Sequence, residues 1–206
     1  MACYENTKSD STNYDEGAER AYLGDTIMEK AIKVVEWLMK YGGYTKFQAA
    51  AMAGVAMQES KFKTSILNSS TGATGLFQWI PKYHKSMLRC AGWPEDTKMA
   101  SLSLEQQVKF ECDYLKSTCG HNNKANELLK STGNLHDALC VFGSFNTVPG
   151  AFYNDTKFSR IPSQKEASFY LHRAVSAKKN PSYEEANKTW NLYWPYAKQV
   201  WNKVKN

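Results

Sequence analysis

Apolar residues recur at intervals of three and four along most of the chain, which is the period of one face of an α-helix. The first such run begins at the capping pair Thr26 and Glu29 and stops at Gly42 and Gly43. Its apolar members are Ile27, Ala31, Val34, Val35 and Leu38. The pattern therefore predicts an amphipathic helix over this stretch.

A second helical run opens at the capping pair Thr45 and Gln48 and continues to Glu59 and Ser60. It is rich in small residues, and Gly54 near its centre predicts close packing against another element. The segment from 64 to 80 then loses the helical period, because it is dense in turn formers and ends in the short apolar run GLFQWI.

Capping signals continue beyond this irregular segment. Pro81 suits the first position of a helix through about Leu88. Three further capping pairs predict later helices, and they are Ser103 with Gln106, Ser163 with Glu166, and Ser182 with Glu185. In the last of these helices, Pro195 is expected to kink or divide the run. The sequence predicts a mainly α protein with at most a small irregular or β element near residues 64–80.

The domain organisation follows from length and polarity. Residues 1–22 show no hydrophobic period and are rich in Ser, Thr, Asn, Asp and Glu, which predicts a flexible polar arm. With 206 residues and 42% hydrophobic content, the chain is sized for one core, so residues 23–206 are predicted to form a single domain.

Composition narrows the partners. The net charge of +6 favours an anionic partner, but Lys and Arg are spread without a dense basic run, which argues against nucleic acid. No window reaches transmembrane length and no signal peptide precedes the first helix, so we expect synthesis in the cytoplasm and no membrane insertion. An aromatic content of 13% suits either a sugar-stacking cleft or ordinary core packing.

The cysteines and histidines predict no metal or cofactor. The five cysteines, at 3, 90, 112, 119 and 140, show neither paired CxxC spacing nor an even count. We therefore expect free thiols rather than a zinc ribbon or a full disulfide framework. No HExxH spacing and no recognisable cysteine nucleophile motif occurs in the sequence.

Glu59 is the strongest candidate for chemistry. It follows Val55 by four residues and Ala56 by three, so it extends the apolar stripe of its helix rather than the solvated face. Partial burial and the negative end of the helix dipole both disfavour a carboxylate, which predicts a raised pKa. Such an acid can hold a proton near neutral pH and deliver it to a glycosidic oxygen.

The segment that follows Glu59 resembles the signature of lysozyme-like lytic transglycosylases and phage tail lysozymes. In that signature a Glu-Ser pair leads into a glycine-rich turn that ends in Gln and often Pro. The matching residues here are Glu59, Ser60, Ser69, Gly72, Ala73, Gly75, Leu76, Phe77, Gln78 and Pro81. The interval from Glu to Gly is one residue longer than in the transglycosylase pattern, which we interpret as a loop insertion.

A second stretch, DALCVFGSFNTVPGAF, is similar to a downstream transglycosylase motif with an aromatic-Asn-x-x-Pro-Gly core. Phe145 stands where the family has Tyr and cannot donate a hydroxyl hydrogen bond. Asn146 also departs from the aromatic-Glu pair of many phage tail lysozymes. The whole resemblance covers about residues 25–178, and it implies a lysozyme-like fold with a single catalytic domain over residues 23–206.

The resemblance also implies the site. Glu59 is expected to be the catalytic acid. Substrate-binding residues are expected at Ser60, Ser69, Gly75, Phe77, Gln78, Trp79, Phe145 and Asn146. The glycines would bring the backbone close to a sugar, and Gln78 offers both a donor and an acceptor to an N-acetyl or hydroxyl group.

The expected activity is bacteriolytic cleavage of the MurNAc-β-1,4-GlcNAc bond of peptidoglycan by a phage muramidase. Between Glu59 and Pro81 the sequence has no Asp or Glu, so a lytic transglycosylase that forms 1,6-anhydro ends is the alternative. Four other acids, Glu111, Asp113, Asp137 and Asp155, are expected to be solvated surface groups. A wall-binding or tail structural protein without turnover is the alternative from another class.

Peptidoglycan glycan strands are thus the expected partner, and phage tail proteins are a further candidate. We expect the protein to act on the bacterial cell wall, either as part of the virion or after release at lysis.

Overall fold

The computed structural model describes residues 24–119, 122–146 and 183–206. In these ranges the fold is mainly helical. Its seven α-helices are α1 (Asp25–Trp37), α2 (Lys46–Ser60), α3 (His84–Ala91), α4 (Leu104–Lys116), α5 (Asn122–Lys130), α6 (Leu135–Asn146) and α7 (Tyr183–Val204). A π-helical turn, Leu38–Gly42, extends α1, and short 3-10 turns occupy Pro81–Tyr83 and Met99–Ser101. The predicted mainly α class is confirmed.

The start of α1 differs from the prediction. Gly24, at φ 74°, is the residue before the helix, and the helix begins at Asp25 with no side-chain cap. Thr26 therefore lies inside the first turn, and the predicted capping pair Thr26 and Glu29 is wrong. Asp25 instead places a carboxylate beside the positive end of the helix dipole. The predicted end is confirmed, because Gly43 adopts the left-handed conformation that stops the helix.

Helix α2 lies at the centre of the fold. The Thr45 backbone N–H donates to Gln48 Oε1 at 3.0 Å, which confirms the predicted capping box. The helix packs against α1, α6 and α7 and is buried on nearly every side. Its run of small residues permits this close packing. At Gly54 an added Cβ would lie 2.6 Å from the Ala197 Cα of α7.

The segment between α2 and α3 is irregular, as predicted. Two isolated antiparallel bridges, Leu67 with Thr74 and Thr74 with Trp79, are its β structure. Gln107 of α4 holds this segment from inside the core. Its Oε1 accepts from the Leu76 N–H at 2.7 Å, and its Nε2 donates to the carbonyls of Thr64 and Met99. A buried side chain thus fixes the path of the loop.

A disulfide links Cys90 at the end of α3 to Cys119 after α4, with a Cα–Cα distance of 5.7 Å. The expectation of free thiols is wrong for this pair, because the helix pair α3 and α4 brings together two residues that their spacing in sequence does not relate. Cys112 is free and buried. The side chains of Cys3 and Cys140 lie outside the described residues.

The polar arm over residues 1–22 and the capping pair Ser163 and Glu166 lie outside the described residues.

Pro195 does not divide α7, which runs as one helix from Tyr183 to Val204. In the described part of the chain, no helix combines the length and apolar character needed to cross a bilayer.

Candidate active site

Glu59 lies in the last turn of α2, the central helix, and its side chain is half-buried. Burial raises the pKa of Glu59, while a hydrogen bond from Tyr193 acts in the opposite direction. In that bond the Tyr193 hydroxyl donates to Glu59 Oε1 at 2.7 Å. The net effect favours a protonated acid at a higher pH than usual, which is the property that a proton donor to a sugar oxygen requires.

Two residues in the left-handed conformation turn the chain immediately after Glu59. Lys61 and Phe62 have φ angles of 51° and 57°. Ser60 stabilises this turn, because its Oγ donates to the Ala56 carbonyl at 2.9 Å and accepts the Phe62 N–H at 3.1 Å. The Ser60 side chain is only 1% exposed. It shapes the end of the helix, and the structure gives no support to its expected contact with substrate.

The two aromatic residues of the glycine-rich motif are also packed in the core. Phe77 is 2% exposed and Trp79 is 4% exposed. Phe77 lies edge-to-face with Phe142, and Trp79 lies in the same manner against Phe110. These contacts leave neither ring a face for a sugar, so the structure supports a packing role for both.

Gly75 has a packing reason as well. Its φ is +80°, and an added Cβ would lie 2.7 Å from the Trp79 ring and 2.9 Å from Gln107 Oε1. Only glycine satisfies both conditions. The expected close approach at Gly75 therefore involves this protein's own core side chains rather than a bound sugar.

Gln78 differs from its neighbours because it is partly exposed. Its backbone is left-handed, with φ at 54°, and its Nε2 donates to the Gly75 carbonyl at 3.2 Å. Among the described residues its Oε1 has no protein donor. Gln78 therefore keeps a side-chain acceptor that is available for a hydrogen bond from a ligand.

The two motifs meet in the structure. Asn146, the last residue of α6, donates from Nδ2 to the Phe77 carbonyl at 3.5 Å. Helix α6 also packs against α2, the helix that carries Glu59. Ser69 is exposed in the irregular segment, and the side chain of Phe145 lies outside the described ones.

The other candidate acids were expected to be solvated surface groups, and none of the three that the structure describes is fully exposed. Glu111 is 3% exposed, so the expectation that it is a solvated surface group is wrong. Its Oε2 accepts the Trp79 indole N–H at 3.0 Å, and burial raises its pKa to about 7. Asp113 is half-buried, paired with Lys109 and bonded to the Trp93 indole. Asp137 is also half-buried, whereas Asp155 lies outside the described residues.

Sequence reasoning missed Tyr193 as a site residue. The sequence pattern places Tyr193 in the last predicted helix, which opens at the capping pair Ser182 and Glu185, and marks it for no chemistry. The available signal was weak: Tyr193 precedes Ala197 by one helical turn, so it shares the face that meets the small residues of α2. Only the crossing of the two helices shows that its hydroxyl reaches Glu59.

In the part of the chain that the structure describes, no group of three His, Cys, Asp or Glu side chains is arranged to hold a metal ion.

Comparison with known protein families gives a match. The model of the phage tail lysozyme family aligns with residues 29–146, which is more than half of the chain. The match includes Glu59, Gln78 and Asn146, and it ends before α7. A comparison with curated protein sequences found no match.

Proposed function

Because the chain belongs to the phage tail lysozyme family, we propose that it is a muramidase that cleaves the MurNAc-β-1,4-GlcNAc bond of peptidoglycan with Glu59 as its general acid. The observation that carries this proposal is the half-buried carboxyl of Glu59, held by Tyr193 at the end of the central helix. Membership of the family itself indicates a lysozyme-like enzyme that acts on peptidoglycan.

In the proposed reaction, Glu59 gives its proton to the glycosidic oxygen as the bond to the anomeric carbon breaks. Positive charge develops on the sugar ring, and the carboxylate that remains on Glu59 lies beside it. A water molecule then adds to the anomeric carbon and returns a proton, which completes hydrolysis. The proposed role of Gln78 is to hold a hydroxyl or N-acetyl group of the substrate with its partly exposed amide.

Transglycosylation is a second candidate, and one observation favours it. The segment between Glu59 and Pro81 contains no Asp or Glu, so it offers no second carboxylate to act as a nucleophile or to activate water. In that reaction the muramyl C6 hydroxyl takes the place of water and closes a 1,6-anhydro ring. Mass spectrometry of the released fragments separates the two reactions, because hydrolysed ends are heavier by one water.

Glu59→Gln tests the proposed acid. The amide keeps the shape of the side chain but has no proton to donate, so we expect peptidoglycan release to fall by about 10²–10⁴-fold. The variant should fold as the parent does, because the amide oxygen can still accept from Tyr193. Glu127→Gln is the matched control, since it makes the same charge change at an exposed residue of α5.

The rate is measured as soluble muropeptides released from purified sacculi. Full activity in a folded Glu59→Gln protein would refute the assignment of Glu59. If the parent protein sediments with sacculi but releases no soluble fragments, the non-catalytic role in wall binding or tail structure replaces the proposal.

The proposed setting is the bacterial cell wall, during infection or at lysis, with phage tail proteins as candidate partners. Probing purified virions with an antibody against the chain distinguishes a virion component from a protein that is released only at lysis.

A further inference from the structure

We propose that Tyr193 is a positioning residue for Glu59, so that α7 completes the active site from outside the region matched by the family model. This inference rests on the proposed function, because it assumes that Glu59 is the acid. It adds a residue that the family match, which ends at residue 146, does not contain.

The crossing of α2 and α7 fixes the place of Tyr193. At Gly54 the helices approach so closely that an added Cβ would lie 2.7 Å from the Ala197 Cβ. Glu59 follows Gly54 by five residues, and Tyr193 precedes Ala197 by four, so the two side chains lie on the same side of the crossing of antiparallel helices. The close approach of the helices at Gly54 therefore brings the Tyr193 hydroxyl within hydrogen-bond distance of Glu59.

The environment of Tyr193 makes its hydrogen bond strong. Its side chain is 6% exposed, so bulk water competes little for the hydroxyl. Ala197 and Val200, on the same helix, are fully buried and anchor it in the core. A phenol held in this way restricts the rotation of the Glu59 carboxyl group about its last bond.

The direction of the bond defines what Tyr193 does during the reaction. The hydroxyl donates to Oε1, which leaves Oε2 to carry and deliver the proton. After proton transfer the same bond stabilises the carboxylate, because a donor interacts more strongly with an anion than with a neutral acid. Tyr193 thus orients the acid before the transfer and stabilises its conjugate base afterwards.

Tyr193→Phe in the full chain tests this role, since it removes the hydroxyl and keeps the ring. We expect kcat on sacculi to fall about tenfold at acidic pH with little change in KM. The alkaline limb of the pH profile should move to higher pH, because the bond that lowers the pKa of Glu59 is lost. A purely structural tyrosine would not move that limb.

Tyr196→Phe is the matched control. Tyr196 lies on the same helix, is partly buried against the core, and makes no hydrogen bond among the described residues. It should keep the parent rate and the parent pH profile. A ¹³C-carboxyl NMR titration of Glu59 in the parent and in Tyr193→Phe reads the same interaction without turnover.

The outcomes separate the two proposals. If Glu59→Gln is inactive while a folded Tyr193→Phe keeps the parent kcat, pH limb and Glu59 titration, the positioning role is overturned and the proposed function stands. If Glu59→Gln is active, the proposed function falls, and the positioning role falls with it. A shifted limb and titration in Tyr193→Phe alone, with Tyr196→Phe unchanged, support the positioning role.

Discussion

At the scale of single residues, two glutamates of this chain occupy surroundings that favour the neutral acid. Glu59 is half-buried and bonded to a tyrosine, whereas Glu111 is enclosed in the core beneath Trp79. Burial is the main cause of the raised pKa in both cases. The two side chains differ in exposure. Because Glu111 is enclosed in the core, its proton cannot be passed to a substrate, and its ionisation affects stability instead.

The ionisation of Glu111 should make stability depend on pH. Its ordinary pKa is 4.5 and its pKa in the folded protein is about 7. Below pH 4.5 both folded and unfolded chains hold the proton. Between the two values the unfolded chain ionises first, so the free energy of unfolding falls, and above about 7 it levels off. Glu111→Gln should abolish this fall and exceed the parent at pH 8 by up to about 3 kcal/mol.

Urea unfolding at pH 4 and pH 8 measures this difference. The exposed Glu127 provides the control, because Glu127→Gln should leave the pH dependence of the parent intact. Parallel stability profiles for the parent and Glu111→Gln would show that the buried acid does not ionise in this range.

The sequence pattern predicted that Glu59 extends the apolar stripe of its helix, and the structure shows it half-buried. For Glu111 the predicted solvated position is wrong, because its side chain is buried. The stripe that ends in Glu59 belongs to a helix with one continuous set of small apolar neighbours. Glu111 lies in a helix whose polar residue Gln107, four positions earlier, is itself buried. Periodicity assigns polar residues to the solvated face. It therefore fails where a buried polar side chain forms hydrogen bonds with a loop backbone or an indole N–H inside the core.

At the scale of elements, the helices with strong local signals were predictable. The capping boxes at Thr45 and Ser103 fixed the starts of α2 and α4, because they depend on residues three positions apart. Pro195 was harder to interpret. The helix continues through it because the following turn is anchored by Ala197 and Val200, which are fully buried. Tertiary packing there outweighs a local preference.

The crossing of α2 and α7 should be sensitive to one methyl group. Gly54→Ala would place a Cβ 2.6 Å from the Ala197 backbone, so the helices must separate. We expect a loss of about 1–3 kcal/mol in the free energy of unfolding. Activity should fall as well, since Tyr193 moves with α7. Gly133→Ala is the control, because an added Cβ there meets nothing within 4 Å.

Denaturant unfolding and the sacculus assay measure the two effects of Gly54→Ala. Unchanged stability together with unchanged activity would mean that the crossing is looser than the structure indicates.

At the scale of the whole molecule, the Cys90–Cys119 disulfide closes a long loop that includes α4. The two cysteines are separated by 29 residues. Constraining a loop of this length in the unfolded chain should stabilise the fold by about 3.5 kcal/mol. Thermal unfolding with and without a reductant measures the effect. The melting temperature of a Cys90→Ala/Cys119→Ala variant should not change when the reductant is added.

This disulfide could not be predicted from the sequence. Cysteine spacing predicts a bridge only where a known framework or a metal motif repeats, and here an odd count pointed to thiols. The pairing arises from the packing of α3 against α4, which brings residues distant in sequence together. An equal lowering of the melting temperature by reductant in the double variant would argue against this bridge as the stabilising element.

The 134 residues that separate Glu59 from Tyr193 affect how this protein can be shortened. A fragment trimmed at residue 146, where the family similarity ends, would retain the acid and lose its phenol. It would also expose the face of the central helix that packs against Ala197. This exposed apolar surface would favour self-association. The smallest active fragment is therefore expected to be longer than residues 29–146, the region that matches the family.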